Sequence, residues 1–155
     1  MWYLVALAIL VYGYFYWTAD RIVWQHPDKL GYMTDGYREA NSKGLDPQSS
    51  LYKKLMAKRE KLQLYCQTNN IELHDSRPLH IELCRPREKG NRTQVVEKRA
   101  KDLSGVRVYL KEENYGRCGC AFAFYPTYDY HITLIALKNK HQLPLHLFRF
   151  YKLVA

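Results

Sequence analysis

The stretch "VRVYLKEENYGRCGCAFAFYPTYDYHITLIAL" (residues 106–137) decides the fold of this chain. It contains three runs rich in Val, Ile, Phe, Tyr and Leu, at 106–111, 118–125 and 130–137, and a fourth such run follows at 145–153. Runs of this composition are typical of β-strands. Because their connections are short, neighbouring strands are expected to be antiparallel. The sequence therefore predicts a C-terminal four-stranded antiparallel sheet.

Two helices are predicted before this sheet. Asp46-Pro47 supplies an N-cap residue and a tolerated first position for a helix that runs to about residue 68. Its apolar stripe consists of Leu51, Leu55, Leu62 and Cys66. A second helix is expected at 93–103, with Thr93 as the N-cap and Gly105 just past its end. Two main helices packed on the sheet give an α+β domain.

The N-terminal run from Met1 to Trp17 has no charged side chain, and Ile22 to Trp24 extends its apolar character. A helix formed by this segment is predicted to be a transmembrane anchor at 1–24, although the 17 uncharged residues alone are slightly short for a bilayer core of about 30 Å. A cleavable signal peptide and a helix buried in a core are the alternatives. The missing basic n-region disfavours cleavage. Aromatic residues mark both ends of the run, as expected at membrane interfaces: Trp2, Tyr3, Tyr14, Tyr16 and Trp17.

This interpretation divides the chain into an anchor (1–24), a juxtamembrane connector (25–46) and a basic α+β domain (47–155). The flank before the run has no Lys or Arg, whereas Arg21 and Lys29 follow it closely. The positive-inside rule then predicts a single-pass membrane protein with its C-terminal domain on the cytoplasmic or matrix-like side.

Charge is the broadest clue to a partner, because the formal net charge is +9. Basic residues concentrate at 53–61 and 85–102, on or beside the two predicted helices. Such a surface suits solvent, an acidic protein patch or anionic lipid headgroups, and nucleic acid is less favoured because no recognised binding module is present. The predicted basic surface comprises Lys53, Lys54, Lys58, Arg59, Lys61, Lys98, Arg99 and Lys101.

The chain has four cysteines, Cys66, Cys84, Cys118 and Cys120. They are expected to be reduced thiols in a cytosolic domain, and in a periplasmic or lumenal domain they can form two disulfides, with three possible pairings. Cys118 and Cys120 share one face of a strand, where they extend an apolar alternation. Neither a C-x-x-C pair nor a Cys/His knuckle is present, so no metal site and no cofactor are predicted.

One tetrapeptide, His131-Ile132-Thr133-Leu134, resembles the His-x-Thr-apolar signature of the two-histidine phosphoesterase and RNA-ligase-like family. The resemblance implies that the histidine acts as an acid or base on a phosphodiester, together with a second such motif on a facing strand. The nearest second copy is His80-Ile81-Glu82-Leu83, where Glu82 replaces the hydroxyl residue. Ordinary amphipathic alternation on a strand produces the same pattern.

Two functional hypotheses follow. The favoured one is a basic interaction domain, anchored in a membrane, that acts as an accessory subunit or an assembly or scaffold factor of a membrane complex. The alternative is a membrane-tethered phosphoesterase-like or nucleic-acid-processing enzyme that uses His131, Thr133 and His80. The position of the two imidazoles discriminates between them, since the enzyme needs both in one open cleft.

Overall fold

The computed structural model describes residues 1–18, 20–25, 41–85, 87–125 and 128–148. It contains three helices and a curled four-stranded antiparallel sheet, so the α+β class is confirmed. The elements in chain order are α1 (Trp2–Thr18), β1 (Asp20–Arg21), β2 (Ser42–Gly44), α2 (Ser50–Thr68), β3 (His80–Glu82), α3 (Arg92–Leu103), β4 (Arg107–Tyr115), β5 (Cys118–Tyr125), β6 (Tyr128–Ala136) and a 3-10 turn (Leu145–Leu147).

The predicted transmembrane anchor is wrong. Among the described residues, no helix is both long and apolar enough to cross a membrane. Helix α1 ends at Thr18 after 17 residues, and the chain enters β1 at Asp20. Ile22 and Trp24, expected to lengthen the anchor, are buried in the core of the domain instead. The predictions of a single-pass, signal-anchored membrane protein and of its membrane topology depended on this anchor and are therefore wrong as well.

The main sheet has the strand order β1-β4-β5-β6, and all its neighbours are antiparallel. Strand β5 has the predicted bounds. The fourth strand of the described sheet is β1, whose Asp20 pairs with Val108. In the run at 145–153, where a strand was predicted, Leu145–Leu147 form a 3-10 turn, closed by hydrogen bonds from the amides of Leu147 and Phe148 to Pro144 O and Leu145 O. Residues 149–155 lie outside the described residues.

A second, two-stranded sheet pairs β2 with β3 in antiparallel register. Strand β2 falls in the predicted connector, and its three residues are buried. The Lys43 ammonium lies 5.5 Å from the ring centre of Trp24. The Trp24 indole N–H in turn donates to Ala100 O at 2.7 Å, which ties the residues after α1 to α3. Residues 26–40 of the connector lie outside the described residues.

Both domain helices have side-chain caps. The Ser49 hydroxyl accepts from the Tyr52 amide, so α2 begins nearly one turn later than expected from Asp46. Asn91, and not Thr93, caps α3 through the Gln94 amide. Gly105 follows α3 with φ +74°, a left-handed conformation that glycine adopts without steric cost. The core lies between these helices and the main sheet, and its central residues are Leu51, Leu55, Leu62, Val96, Ala100, Leu103, Val108, Leu110, Ala121, Ala123, Ile132 and Leu134.

Candidate functional site

A β-bulge in β6 is the starting point of the site. Gly119 of β5 pairs with Ile135, but the next residue, Cys120, pairs with Thr133, so Leu134 has no partner on β5. A β-carbon on Gly119 would lie 3.0 Å from Ile135 Cγ1 and 3.4 Å from Leu62 Cδ1. Glycine therefore lets α2 and the bulged strand approach each other closely at this position.

Arg59 from α2 binds the carbonyls of the bulge. Its Nε donates to Leu134 O at 2.7 Å, and Nη2 is 3.5 Å from Thr133 O. Only 5% of the residue is exposed. Burial lowers the pKa of the Arg59 guanidinium from its usual value, because removal of water disfavours the charged form. Arg59 therefore belongs to the interior of the domain and not to the exposed basic surface predicted for it.

A cavity of about 550 Å³ lies beside this bulge. Residues 133–136 of β6 form one side, and residues 73–77, which run along the edge of β6, form another. Arg59 and His80 are its buried polar residues, whereas His74, Asp75, Ser76 and Arg77 are exposed. The cavity thus has a polar buried end and an open mouth.

Hydrogen bonds hold the walls of this cavity. Leu73 forms an isolated antiparallel β-bridge with Leu137, and the His74 amide donates to Ala136 O at 2.9 Å. The Gln63 side-chain amide donates to Ser76 Oγ at 2.8 Å, which fixes the outer segment to α2. Contacts with both α2 and β6 therefore fix the outer wall of the cavity.

The two histidines singled out in the sequence do not share this cavity. His80 lines it, as does Thr133, but His131 and Glu82 do not. His80 Nδ1 donates to Pro78 O at 2.9 Å, because a carbonyl can only accept. His131 Nε2 lies 3.0 Å from Cys120 Sγ, and its ring is 6.1 Å from that of Tyr115. The two imidazoles named for the phosphoesterase resemblance therefore do not both line this cavity.

All four cysteines are unbridged. The pKa of the Cys120 thiol is raised by its hydrogen bond with Cys118 and by burial. Burial likewise raises the pKa of Cys66 and of Cys84. These three groups therefore stay protonated near neutral pH. Within the described part of the chain, no three His, Cys, Asp or Glu residues are placed to hold a metal ion.

The predicted basic surface is only partly free of other contacts. Lys58 pairs with Glu112 at 3.0 Å, Lys54 with Asp20 at 2.8 Å, and Arg99 with Glu88 at 2.8 Å. The remaining members are exposed on α2 and α3: Lys53, Lys61, Lys98 and Lys101. The ion pairs fix the positions of the helices, and the exposed lysines leave a basic outer surface.

Helix α1 presents the largest exposed apolar surface of the described chain. The exposed large apolar residues of α1 have exposed fractions from 45% at Val11 to 87% at Trp2. Trp2, Tyr3 and Tyr14, expected at membrane interfaces, are among the exposed residues, while the side chains of Tyr16 and Trp17 lie outside the described residues. No described side chain of α1 belongs to the hydrophobic core.

Comparison with known proteins finds no matching family model, no similar curated protein and no similar solved structure.

Sequence reasoning missed Arg59, His74 and Arg77 as cavity residues. One signal was available for Arg59, which lies four residues after Leu55 and three before Leu62, on the apolar stripe of α2. A cation in the middle of an apolar stripe is a buried charge that needs acceptors. No comparable pattern identifies His74 or Arg77, because they lie in an irregular segment placed by tertiary contacts.

Proposed function

We propose that this chain is a non-catalytic binding protein that inserts α1 into an apolar cleft of a partner protein. The observation that carries this proposal is the exposure of α1, where Leu7, Ile9 and Leu10 are 56%, 66% and 70% exposed. Contiguous exposed apolar surface of this kind marks an interaction site. The proposal retains the interaction role expected from the sequence, without the membrane anchor.

The distribution of apolar residues around α1 indicates what sort of cleft the partner offers. Successive residues of an α-helix point about 100° apart, so Leu4, Val5, Leu7, Ile9 and Leu10 together cover all sides. A shallow groove buries only one stripe of a helix. The partner therefore surrounds α1 on several sides, as the other helices of a bundle surround a central one.

Burial of the apolar side chains of α1 in a partner would contribute a large favourable free energy before the cost of association is subtracted. Burying one Leu, Ile or Val side chain contributes roughly 1.5–3 kcal/mol, so five such residues contribute about 7–15 kcal/mol. Association costs on the order of 4–15 kcal/mol, chiefly in lost translational and rotational freedom. Insertion of α1 alone then gives modest affinity, and further contacts are needed for a stable complex.

Charge supplies the further contact. Arg21 directly follows α1 in β1, and Lys53 and Lys61 are exposed on α2, which packs beside β1. With a net charge of +9, the chain is attracted to an acidic surface. The partner is thus expected to combine an apolar cleft with an acidic rim at the end where α1 leaves it.

Matched substitutions in the full chain test this proposal. Leu10→Asp places a charge on α1, and Leu64→Asp makes the same change on α2 at a similarly exposed leucine, with 70% and 63% exposed. Each tagged variant is purified from the source cells, the co-purifying protein is identified by mass spectrometry, and the complex is rebuilt from purified components. Binding is then measured between about 50 mM and about 500 mM salt, a range over which surface charges become screened.

The expected result is a defined complex with an acidic protein that Leu64→Asp retains, Leu10→Asp loses and high salt weakens. Three results would contradict the proposal: an unchanged complex with Leu10→Asp, assembly only between copies of this chain, or binding to lipid vesicles in place of a protein.

A further inference from the structure

We propose that the cavity beside the β6 bulge binds a small organic carboxylate, whose head group pairs with the buried guanidinium of Arg59. This inference does not depend on α1 or on the proposed function. It rests on three observations: the shape of the cavity, the uncompensated charge of Arg59, and the balance of charge in the lining.

The size of the cavity suits a small molecule. Binding sites for small molecules commonly occupy about 300–1,000 Å³ and combine apolar walls with a few placed polar groups. This cavity, at about 550 Å³, has Leu73, Leu134, Ile135 and Ala136 in its apolar wall. Its outer wall is held by the hydrogen bonds of Gln63 with Ser76 and of His74 with Ala136. The space therefore does not close without breaking these contacts.

Arg59 is a buried cation without a neutralising anion in the described structure. Its acceptors are two carbonyl oxygens and the weakly accepting Met56 sulfur, 3.5 Å from Nη1. No carboxylate of the described residues forms an ion pair with it. Buried charges are normally paired, because their removal from water is costly. A guanidinium carries five N–H groups in a fork that fits a carboxylate, so an anion in the cavity can take the remaining donors.

The lining favours a monoanion. Among the arginines and carboxylates of the lining, Arg59 and Arg77 contribute two positive charges and Asp75 one negative charge, which leaves one net positive charge. A carboxylate carries one negative charge, whereas a phosphate monoester carries about −1.5 to −2 at neutral pH. Leu73 and Ile135 offer apolar contact for the carbon skeleton of the ligand.

Binding to the purified full chain is measured by titration calorimetry with sodium hexanoate as the probe. Hexan-1-ol has the same chain without the charge, and hexyl phosphate has the same chain with a dianionic head. Saturable binding of hexanoate, at least about tenfold tighter than that of hexanol, is expected from the charge-assisted hydrogen bond. In ¹⁵N NMR, hexanoate and not hexanol should shift the Arg59 Nε–H resonance. Equal binding of hexanol, tighter binding of hexyl phosphate, or no saturable binding would overturn the proposal.

Variants locate the binding without depending on Arg59 alone. Arg59→Lys keeps the charge but loses the fork, and should weaken hexanoate binding about tenfold or more. Ala136→Phe fills the cavity and should abolish binding, while Ala57→Phe, at an exposed position of α2, should leave it unchanged. Arg77→Ala should weaken binding about threefold, with the exposed Arg87→Ala as its control. If Arg59→Lys does not fold, the Ala136→Phe and Arg77→Ala variants still test the site. Unchanged affinity of both variants for hexanoate would refute it.

Discussion

Replacing Arg59 with Met tests whether the guanidinium supports the β6 bulge. Met has a similar length but donates no hydrogen bond, so Leu134 O loses its 2.7 Å contact and Thr133 O its 3.5 Å contact. A hydrogen bond to a charged group contributes about 1.5–3 kcal/mol. Removing a buried charge offsets part of this loss, because the cost of keeping that charge away from water disappears with it. We therefore expect Arg59→Met to lower the free energy of unfolding by about 2 kcal/mol.

Urea unfolding followed by circular dichroism measures this effect. With a slope of about 2 kcal/mol/M, a loss of about 2 kcal/mol moves the midpoint down by about 1 M. Lys61→Met is the matched control, because it makes the same type of change at an exposed position of α2 and should stay within about 0.5 kcal/mol of the parent. An Arg59→Met variant as stable as the parent would refute the role assigned to the guanidinium.

Three further changes test separate parts of the fold. Gly119→Ala should lower the free energy of unfolding by about 1 kcal/mol or more, because the added β-carbon would press on the buried Ile135 at 3.0 Å. Gly13→Ala is the control, since its added β-carbon meets nothing within 4 Å. The urea midpoints of the two variants are compared, and equal midpoints would contradict the close approach of α2. Ser49→Ala should lower the free energy of unfolding by about 1 kcal/mol, because it removes the N-cap of α2. Ser50→Ala is the neutral control, and equal stability of the two variants would contradict the prediction. Burial alone would raise the pKa of the Glu88 carboxyl, but the hydrogen bonds and charge of Arg99 outweigh it and lower the pKa below its usual range. The stability from this pair is therefore present above the unfolded pKa of about 4.3 and is lost as pH falls through the lower folded value. Glu88→Gln should be less stable than the parent at pH 7 and equal to it in strong acid, and a difference that persists in acid would exclude this linkage.

The sequence predicted β5 and both domain helices well because their patterns are local. Alternating apolar side chains and turn residues set β5, and an apolar stripe sets each helix, although Ser49 and Asn91 supply the caps in place of the predicted Asp46 and Thr93. Strand β1 could not be predicted in this way. It has two residues, and its pairing with β4 depends on a partner more than 80 positions along the chain, Val108 against Asp20.

The anchor prediction failed because it carried the apolar run of α1 on to residue 24, whereas Ile22 and Trp24 join the core of the domain. In the predicted C-terminal strand, Leu145–Leu147 form a 3-10 turn, and residues 149–153 lie outside the described residues. His80 and Thr133, singled out from the two related tetrapeptides, both line the cavity. Their neighbour Arg59 was assigned to the surface, since composition alone does not distinguish a buried cation from a solvated one.

The most direct test of the central claim is the accessibility of α1 in the rebuilt complex. Leu10→Cys introduces a thiol at a position that is 70% exposed in the free chain, and Leu64→Cys provides a comparably exposed reference on α2. Mass spectrometry of maleimide-labelled peptides gives the labelling rate at each site, with and without the partner. The account predicts that the partner slows labelling at residue 10 at least about tenfold and leaves residue 64 unchanged. Equal labelling of residue 10 in the free chain and in the complex would contradict insertion of α1 into the partner.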